Sequence, residues 1–231
     1  MIQQYDCLFS FGSHLNYKME SDKYQETFQT WNKVASLYAS KFMHLNCYDA
    51  SYDQLIDMLP TGSSKVLEVG CGPGNITRYL LSKRPELQIT GIDVAPNMIE
   101  LAKLNCPNAN FETMDCRDIS SIEEHFDAIV SGFCIPYLSS NDCKKFLIDS
   151  TNLLNPKGLI YLSFVAGNPD QSRYQIGSSG DRMFFNYHEL DFVVSILEVL
   201  NFTSIFKHEV AYQIIDKSTE MHTILIASRA L

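Results

Sequence analysis

The chain has 231 residues, 45% of them hydrophobic, and a formal net charge of −9; this length can bury one sizeable core, so one domain over residues 1–231 is expected. The acidic balance argues against a groove dedicated to phosphate backbones, because nucleic-acid affinity rests on Lys and Arg neutralising phosphates, and no nucleic-acid partner is expected. Seven cysteines without a Cys-x-x-Cys pair suggest neither a disulfide framework nor a zinc knuckle, and with no apolar run of signal-peptide or membrane length they point to a cytoplasmic setting without a membrane partner.

Residues 1–25 carry no clear period. From Phe28 the residues Trp31, Val34, Tyr38, Phe42 and Leu45 follow at three- and four-residue steps, which predicts one face of a helix. A second helix is expected over 52–59, ended by Pro60 and Gly62.

Val66 to Thr77 reads Val-Leu-Glu-Val-Gly-Cys-Gly-Pro-Gly-Asn-Ile-Thr. Val66, Leu67 and Val69 suit a buried strand. Gly70, Gly72 and Gly74 allow a sharp turn and close approach of a ligand, and a helix opening near Gly74 would aim free N–H groups at it. A dinucleotide fingerprint needs a glycine at the sixth position counted from Gly70, where Asn75 stands. The next strand, 87–93, ends on Asp93, about twenty residues on, where a carboxylate can accept ribose hydroxyls.

The acid Glu68 followed by Gly70, Cys71, Gly72 and Gly74, with Asp93 at the next strand end, resembles the first motifs of class I S-adenosylmethionine-dependent methyltransferases. The resemblance implies an α/β fold: a doubly wound, mostly parallel sheet of seven strands in order 3-2-1-4-5-7-6, the last antiparallel, with helices on both faces. It also implies S-adenosylmethionine as cofactor. Its cofactor set carries over onto Glu68, Gly70, Cys71, Gly72, Gly74, Asp93, Val94, Met98, Ser131 and Phe133. The segment Trp31 to Tyr38 is similar to the family's N-terminal covering helix, which implies that residues 1–60 form a helical cap from which Tyr38 would approach the methionine moiety. Asp115, just after a third strand over 110–114, would accept from the adenine amino group beside the Cys116 backbone N–H; Asp118 is the competing acid.

The fourth strand is expected over 126–131, and its continuation Gly132 to Leu138 resembles the loop beneath the transferred methyl. A surface helix over 141–154 and a Pro156–Gly158 turn lead to a fifth strand at 159–165. The polar, Gly- and Ser-containing connection 166–185 is long enough to be functional. Asn186 with Glu189 predicts a capping box for a helix over 187–200, and strands over 202–212 and 223–227 close the chain.

Methyl transfer is in-line displacement, which positioning alone can drive. If a base takes part, Tyr137 and His188 are the expected catalytic residues; no histidine shows metal-ligand spacing, and no metal is expected. The chain lacks the Asn/Asp-Pro-Pro-Tyr signature that follows the fourth strand in nitrogen-methylating enzymes acting on DNA and some proteins. A small-molecule acceptor is expected, with oxygen, nitrogen and carbon all open. It would be enclosed between the cap and the 166–185 connection by Tyr17, Trp31, Arg173, Tyr174 and Arg182, the arginines able to hold an acidic group. Other open readings are a cofactor-binding scaffold without catalysis and a nicotinamide-dependent oxidoreductase, and the assembly is expected to be a monomer or homodimer.

Overall fold

The central strands are buried along nearly their whole length, and successive side chains divide between two layers. Leu67, Val69, Ile129, Ile160 and Leu162 share one apolar cluster, while Val66, Ala128, Val130, Leu159 and Tyr161 share another. That period of two is what a sheet covered on both faces requires. The structure, a computed structural model, describes residues 8–177, 179–213 and 218–230, with side chains from Lys23 onward.

The sheet has seven strands in the order β3-β2-β1-β4-β5-β9-β8. They are β1 (Lys65–Val69), β2 (Gln88–Asp93), β3 (Asn110–Thr113), β4 (Phe126–Gly132), β5 (Leu154–Phe164), β8 (Phe202–Gln213) and β9 (Thr219–Arg229). β1 to β5 pair in parallel, and β9 runs antiparallel to both β5 and β8. This is the expected order, once a separate hairpin of β6 (Arg173–Ile176) and β7 (Arg182–Phe185) is set aside. That hairpin occupies the long polar connection 166–185.

Helices α2 (Asp49–Met58) and α3 (Asn75–Lys83) pack Leu55 and Leu80 on the Val66 face. On the opposite face, α5 (Ser140–Leu153) and α6 (Leu190–Val199) bury Phe146, Leu147, Val193 and Leu197. α4 (Pro96–Asn105) begins on Pro96, whose missing N–H costs nothing in a first turn. Its Ile99 and Ala102 pack with Cys71 and Phe111.

α1 spans Leu8–Phe42, well beyond the expected start near Phe28. Once a helix is nucleated, each added residue brings its own hydrogen bond, so no apolar period is needed to extend it. α1 docks on β7 through hydroxyls: Thr27 Oγ1 accepts from Phe184 N at 3.0 Å, and Thr30 Oγ1 donates to Arg182 O at 2.7 Å. Its other anchor is Asn32, whose Oδ1 and backbone O accept from Asn97 N and Nδ2, each at 2.8 Å, at the start of α4.

Two local expectations are corrected. The Asn186–Glu189 capping box does not form: Asn186 N and Nδ2 donate to Pro136 O, and Glu189 caps α6 with its backbone alone. In the turn within β5, the residue with positive φ is Lys157, at 64°, rather than Gly158. Gly158 is required for space, since a Cβ there would stand 2.8 Å from Asn155 O.

Candidate functional site

The strand ends converge on a cavity of about 300 Å³, roofed by α1 and floored by the turns after β1, β2, β3 and β4. The turn after β1 is built by positive φ at Gly70 (70°), Gly72 (53°) and Gly74 (85°), backbone that side-chain-bearing residues seldom adopt. Gly70 N and Cys71 N both donate to Ile92 O, at 2.8 and 2.9 Å, which ties the turn to β2.

Asp93 holds this turn and faces the cavity. Its Oδ2 accepts from Gly72 N at 2.9 Å and its Oδ1 from Ala95 N at 2.8 Å, while burial pushes its carboxyl pKa above the ordinary value. Each oxygen keeps a lone pair for a ligand hydroxyl. Glu68, 1% exposed, accepts from Thr77 Oγ1 at the start of α3, and its Oε1 is buried with no partner. Burial pushes its pKa up to about 8. A buried carboxylate oxygen with nothing to accept from is a cost unless a cation or donor completes it.

Val94, Met98, Asp115, Cys116 and Phe133 also line the cavity. Asp115 is already engaged: Arg117 Nη2 donates to its Oδ2 at 2.6 Å and Arg117 N to its Oδ1 at 2.9 Å. The guanidinium in turn lies 4.1 Å from the Tyr24 ring centroid. Cys71, Gly74 and Ser131 stand behind the lining: a Cβ at Gly74 would come within 3.2 Å of Cys106 Sγ, so its bareness lets α3 pack on α4. Phe133 sits at φ 54°, its N–H donating to Ser163 O and Oγ at 3.1 and 3.0 Å. Left-handed backbone at a bulky residue is strained, and such strain collects at ligand sites.

The roof is aromatic. Trp31 meets Tyr38 and Tyr137 edge to face, with centroids 5.5 and 5.3 Å apart, and Tyr137 meets Phe185 at 5.9 Å. Burial raises the Tyr38 and Tyr137 phenols well above their ordinary pKa, so both stay protonated at neutral pH.

Other expected site residues lie elsewhere. His188 is 1% exposed and does not line the cavity; its Nε2–H donates to Ile135 O at 3.0 Å, and burial lowers its pKa. It braces the loop after β4. Arg173, Tyr174 and Arg182 are also absent from the lining. Arg182 pairs with Glu26 on α1, its Nε 2.5 Å from Oε1, and its guanidinium lies 4.2 Å from the Tyr174 ring centroid. The hairpin contributes its apolar end, Phe185, while the salt bridge to α1 holds Arg182 against Glu26. The Tyr17 side chain lies outside the described residues.

Sequence reading missed the far end of the cavity, where β8 and β9 reach the cap. His222 Nδ1 lies 2.6 Å from Tyr48 Oη and His222 Nε2 3.0 Å from Glu220 Oε2; Tyr212 stacks on the His222 ring with centroids 4.9 Å apart. Four positions drawn from α2's entry and a terminal hairpin share no spacing that would group them.

Comparison with known proteins agrees with this architecture. Residues 66–158 match the family model described as a methyltransferase domain. A putative methyltransferase, 235L, of Invertebrate iridescent virus 6 is 34% identical over 113 residues, covering 48% of this chain and 40% of that protein. The chain thus spans well under two thirds of that relative. Among solved structures, a DhpI–SAH complex superposes with a TM-score of 0.70 at 16% identity, covering 90% of this chain and 97% of that one. N-methyltransferase NodS from Bradyrhizobium japonicum, in complex with S-adenosyl-L-homocysteine, gives 0.65 at 18% identity, covering 88% and 98%. Among the described residues no helix is long and apolar enough to cross a membrane. With the glycine turn, the acid at the end of β2 and the sheet order in hand, residues 66–158 are similar to a methyltransferase domain, and the chain shares its fold with the solved DhpI and NodS structures.

Proposed function

We propose that this chain is an S-adenosylmethionine-dependent methyltransferase whose acceptor is a small molecule enclosed in the cavity, residues 1–60 capping a single methyltransferase domain. The observation that carries the reading is the meeting of Glu68, the glycine turn and Asp93 at the ends of adjacent strands, with Glu68 Oε1 buried and unpartnered. This set of acceptors fits the cofactor. Glu68 Oε1 suits its ammonium, the free lone pairs of Asp93 suit ribose hydroxyls, and Gly72 leaves bare backbone where a ligand would pass. Asp115 and Cys116, flanked by Val94 and Met98, suit the adenine end. The names of the relatives point the same way.

S-adenosylmethionine supplies an electrophilic methyl on a positively charged sulfur. What the chain supplies is position and dryness. Holding an acceptor in line can contribute roughly 7 to 11 kcal/mol to the barrier, and the Trp31, Tyr38 and Tyr137 roof excludes water that would compete. Tyr137, with its phenol kept protonated, acts as wall and donor rather than as a base.

Calorimetry with S-adenosylhomocysteine, NAD and NADP as separate titrants tests the reading. Binding of the first alone, together with transfer of labelled methyl into a small-molecule fraction, is the expected result. Binding of a nicotinamide nucleotide instead, or label found only in macromolecules, would overturn it.

A further inference from the structure

At the β9 end of the cavity the lining changes character. Tyr48, Phe133, Tyr212 and His222 form an aromatic enclosure: the Tyr48–Phe133 centroids are 5.7 Å apart, Phe133–His222 4.7 Å, and Tyr212–His222 4.9 Å. Glu220 lines the same end, and among the described residues no Lys or Arg lines the cavity anywhere. Aromatic faces with one carboxylate and no Lys or Arg attract a cation and repel an anion.

The hydrogen bonds here have a fixed direction. A carboxylate only accepts, so His222 Nε2 carries the hydrogen facing Glu220 Oε2, 3.0 Å away. His222 Nδ1 is then the bare nitrogen, and Tyr48 Oη–H donates to it at 2.6 Å. With its hydrogen directed at His222, Tyr48 Oη is left with lone pairs, and Tyr48 is itself among the lining residues. Sheet order separates this group from the cofactor residues: Asp93 and Asp115 follow β2 and β3, whereas His222 and Glu220 sit on β9, beyond β4 and β5. The turns after β1 and β4 stand between the two ends.

We propose that the acceptor is an amine, held as its ammonium among Tyr48, Phe133, Tyr212 and Glu220, and deprotonated through Tyr48 into His222. The proposal rests on the methyltransferase reading and names the substrate class of that site. In the step, one N–H proton of the ammonium passes to Tyr48 Oη as the Tyr48 proton passes to His222 Nδ1, giving an imidazolium paired with Glu220. The freed nitrogen lone pair forms the new N–C bond to the methyl, and the electron pair of the broken C–S bond stays on sulfur. Tyr48 is the catalytic residue; His222 and Glu220 are positioning residues that act through it.

The test uses the full chain with benzylamine, benzyl alcohol and benzoate as matched probes, read by saturation-transfer NMR with and without S-adenosylhomocysteine. Benzylamine is expected to bind in preference to the other two, and Glu220→Gln to weaken it by about tenfold or more, as loss of one partner of an enclosed charge pair does, while S-adenosylhomocysteine affinity stays within twofold. Tyr48→Phe is expected to keep benzylamine binding but lower kcat for amine methylation by about 100-fold, within the range of general base catalysis. Benzoate or benzyl alcohol binding as well as benzylamine, or Glu220→Gln leaving the preference intact, would overturn the proposal. Failure of S-adenosylhomocysteine to bind would instead overturn the methyltransferase reading, and probe selectivity on the free protein would still decide the enclosure.

Discussion

Replacing Glu68 by Gln isolates the physical oddity at the centre of the site. Burial raises the Glu68 pKa to about 8 from an ordinary 4.5, so as pH rises the unfolded chain loses this proton before the folded one does. Stability contributed by the neutral carboxyl is therefore fully present below pH 4.5 and is lost as the pH climbs through 8. A proton held by the folded chain alone is worth about 1.4 kcal/mol for every pH unit crossed, so moving from pH 5 to pH 8 should cost the ligand-free protein on the order of 3 kcal/mol through this one group. For a chain of this size that is roughly 6–12 °C in melting temperature. Gln cannot titrate, so calorimetric melts at pH 5, 6.5 and 8 should show the wild-type melting temperature falling with pH relative to that of Glu68→Gln. Adding S-adenosylhomocysteine should flatten the wild-type slope, because an ammonium against Oε1 favours the ionised carboxylate, and should leave the variant's slope unchanged. Parallel pH profiles for the two proteins would show that Glu68 does not titrate in this window and would refute the reasoning.

Asp93→Asn keeps an acceptor for one of the Gly72 and Ala95 N–H groups but turns an NH₂ toward the other, and S-adenosylhomocysteine affinity by calorimetry should fall about 10- to 100-fold. Gly91→Ala drives a Cβ to 2.6 Å from the Phe111 ring and 3.1 Å from Cys71 Cβ, so urea unfolding should show a loss of about 1–3 kcal/mol with an unchanged m-value. Thr27→Val removes the acceptor for Phe184 N; amide exchange in residues 182–185 should accelerate, with about 1–3 kcal/mol lost if that N–H stays dry. His188, buried neutral with a lowered pKa, contributes stability that is present above its unfolded value of 6.5 and is lost as the pH falls below it, so His188→Gln should melt with less acid sensitivity between pH 7 and pH 5.

The floor of the cavity was legible in the sequence because it is local. A glycine turn leaving β1 and an acid ending β2 are each specified by a few consecutive residues, and parallel pairing with crossovers puts successive strand ends side by side. The alternation of strand with helix along the chain likewise pointed to an open, mostly parallel sheet covered on both faces. The beginning of α1, the β6–β7 hairpin and the cap of α6 were not legible. Each is decided by a distant partner: β7 by the α1 hydroxyls of Thr27 and Thr30, and Asn186 by Pro136 O. Arg182 and His188 miss the cavity for the same reason, since proximity in sequence to a lid says nothing about which way an ion pair with Glu26 or a bond to Ile135 O will turn a side chain. Tyr48, Tyr212, Glu220 and His222 could be brought together only by the antiparallel return of β9 between β5 and β8. Sequence determined the glycine turn and the acid at the neighbouring strand end, through short-range backbone geometry; tertiary structure alone decided what faces them across the cavity, because that wall is assembled from long-range pairings that no local pattern records.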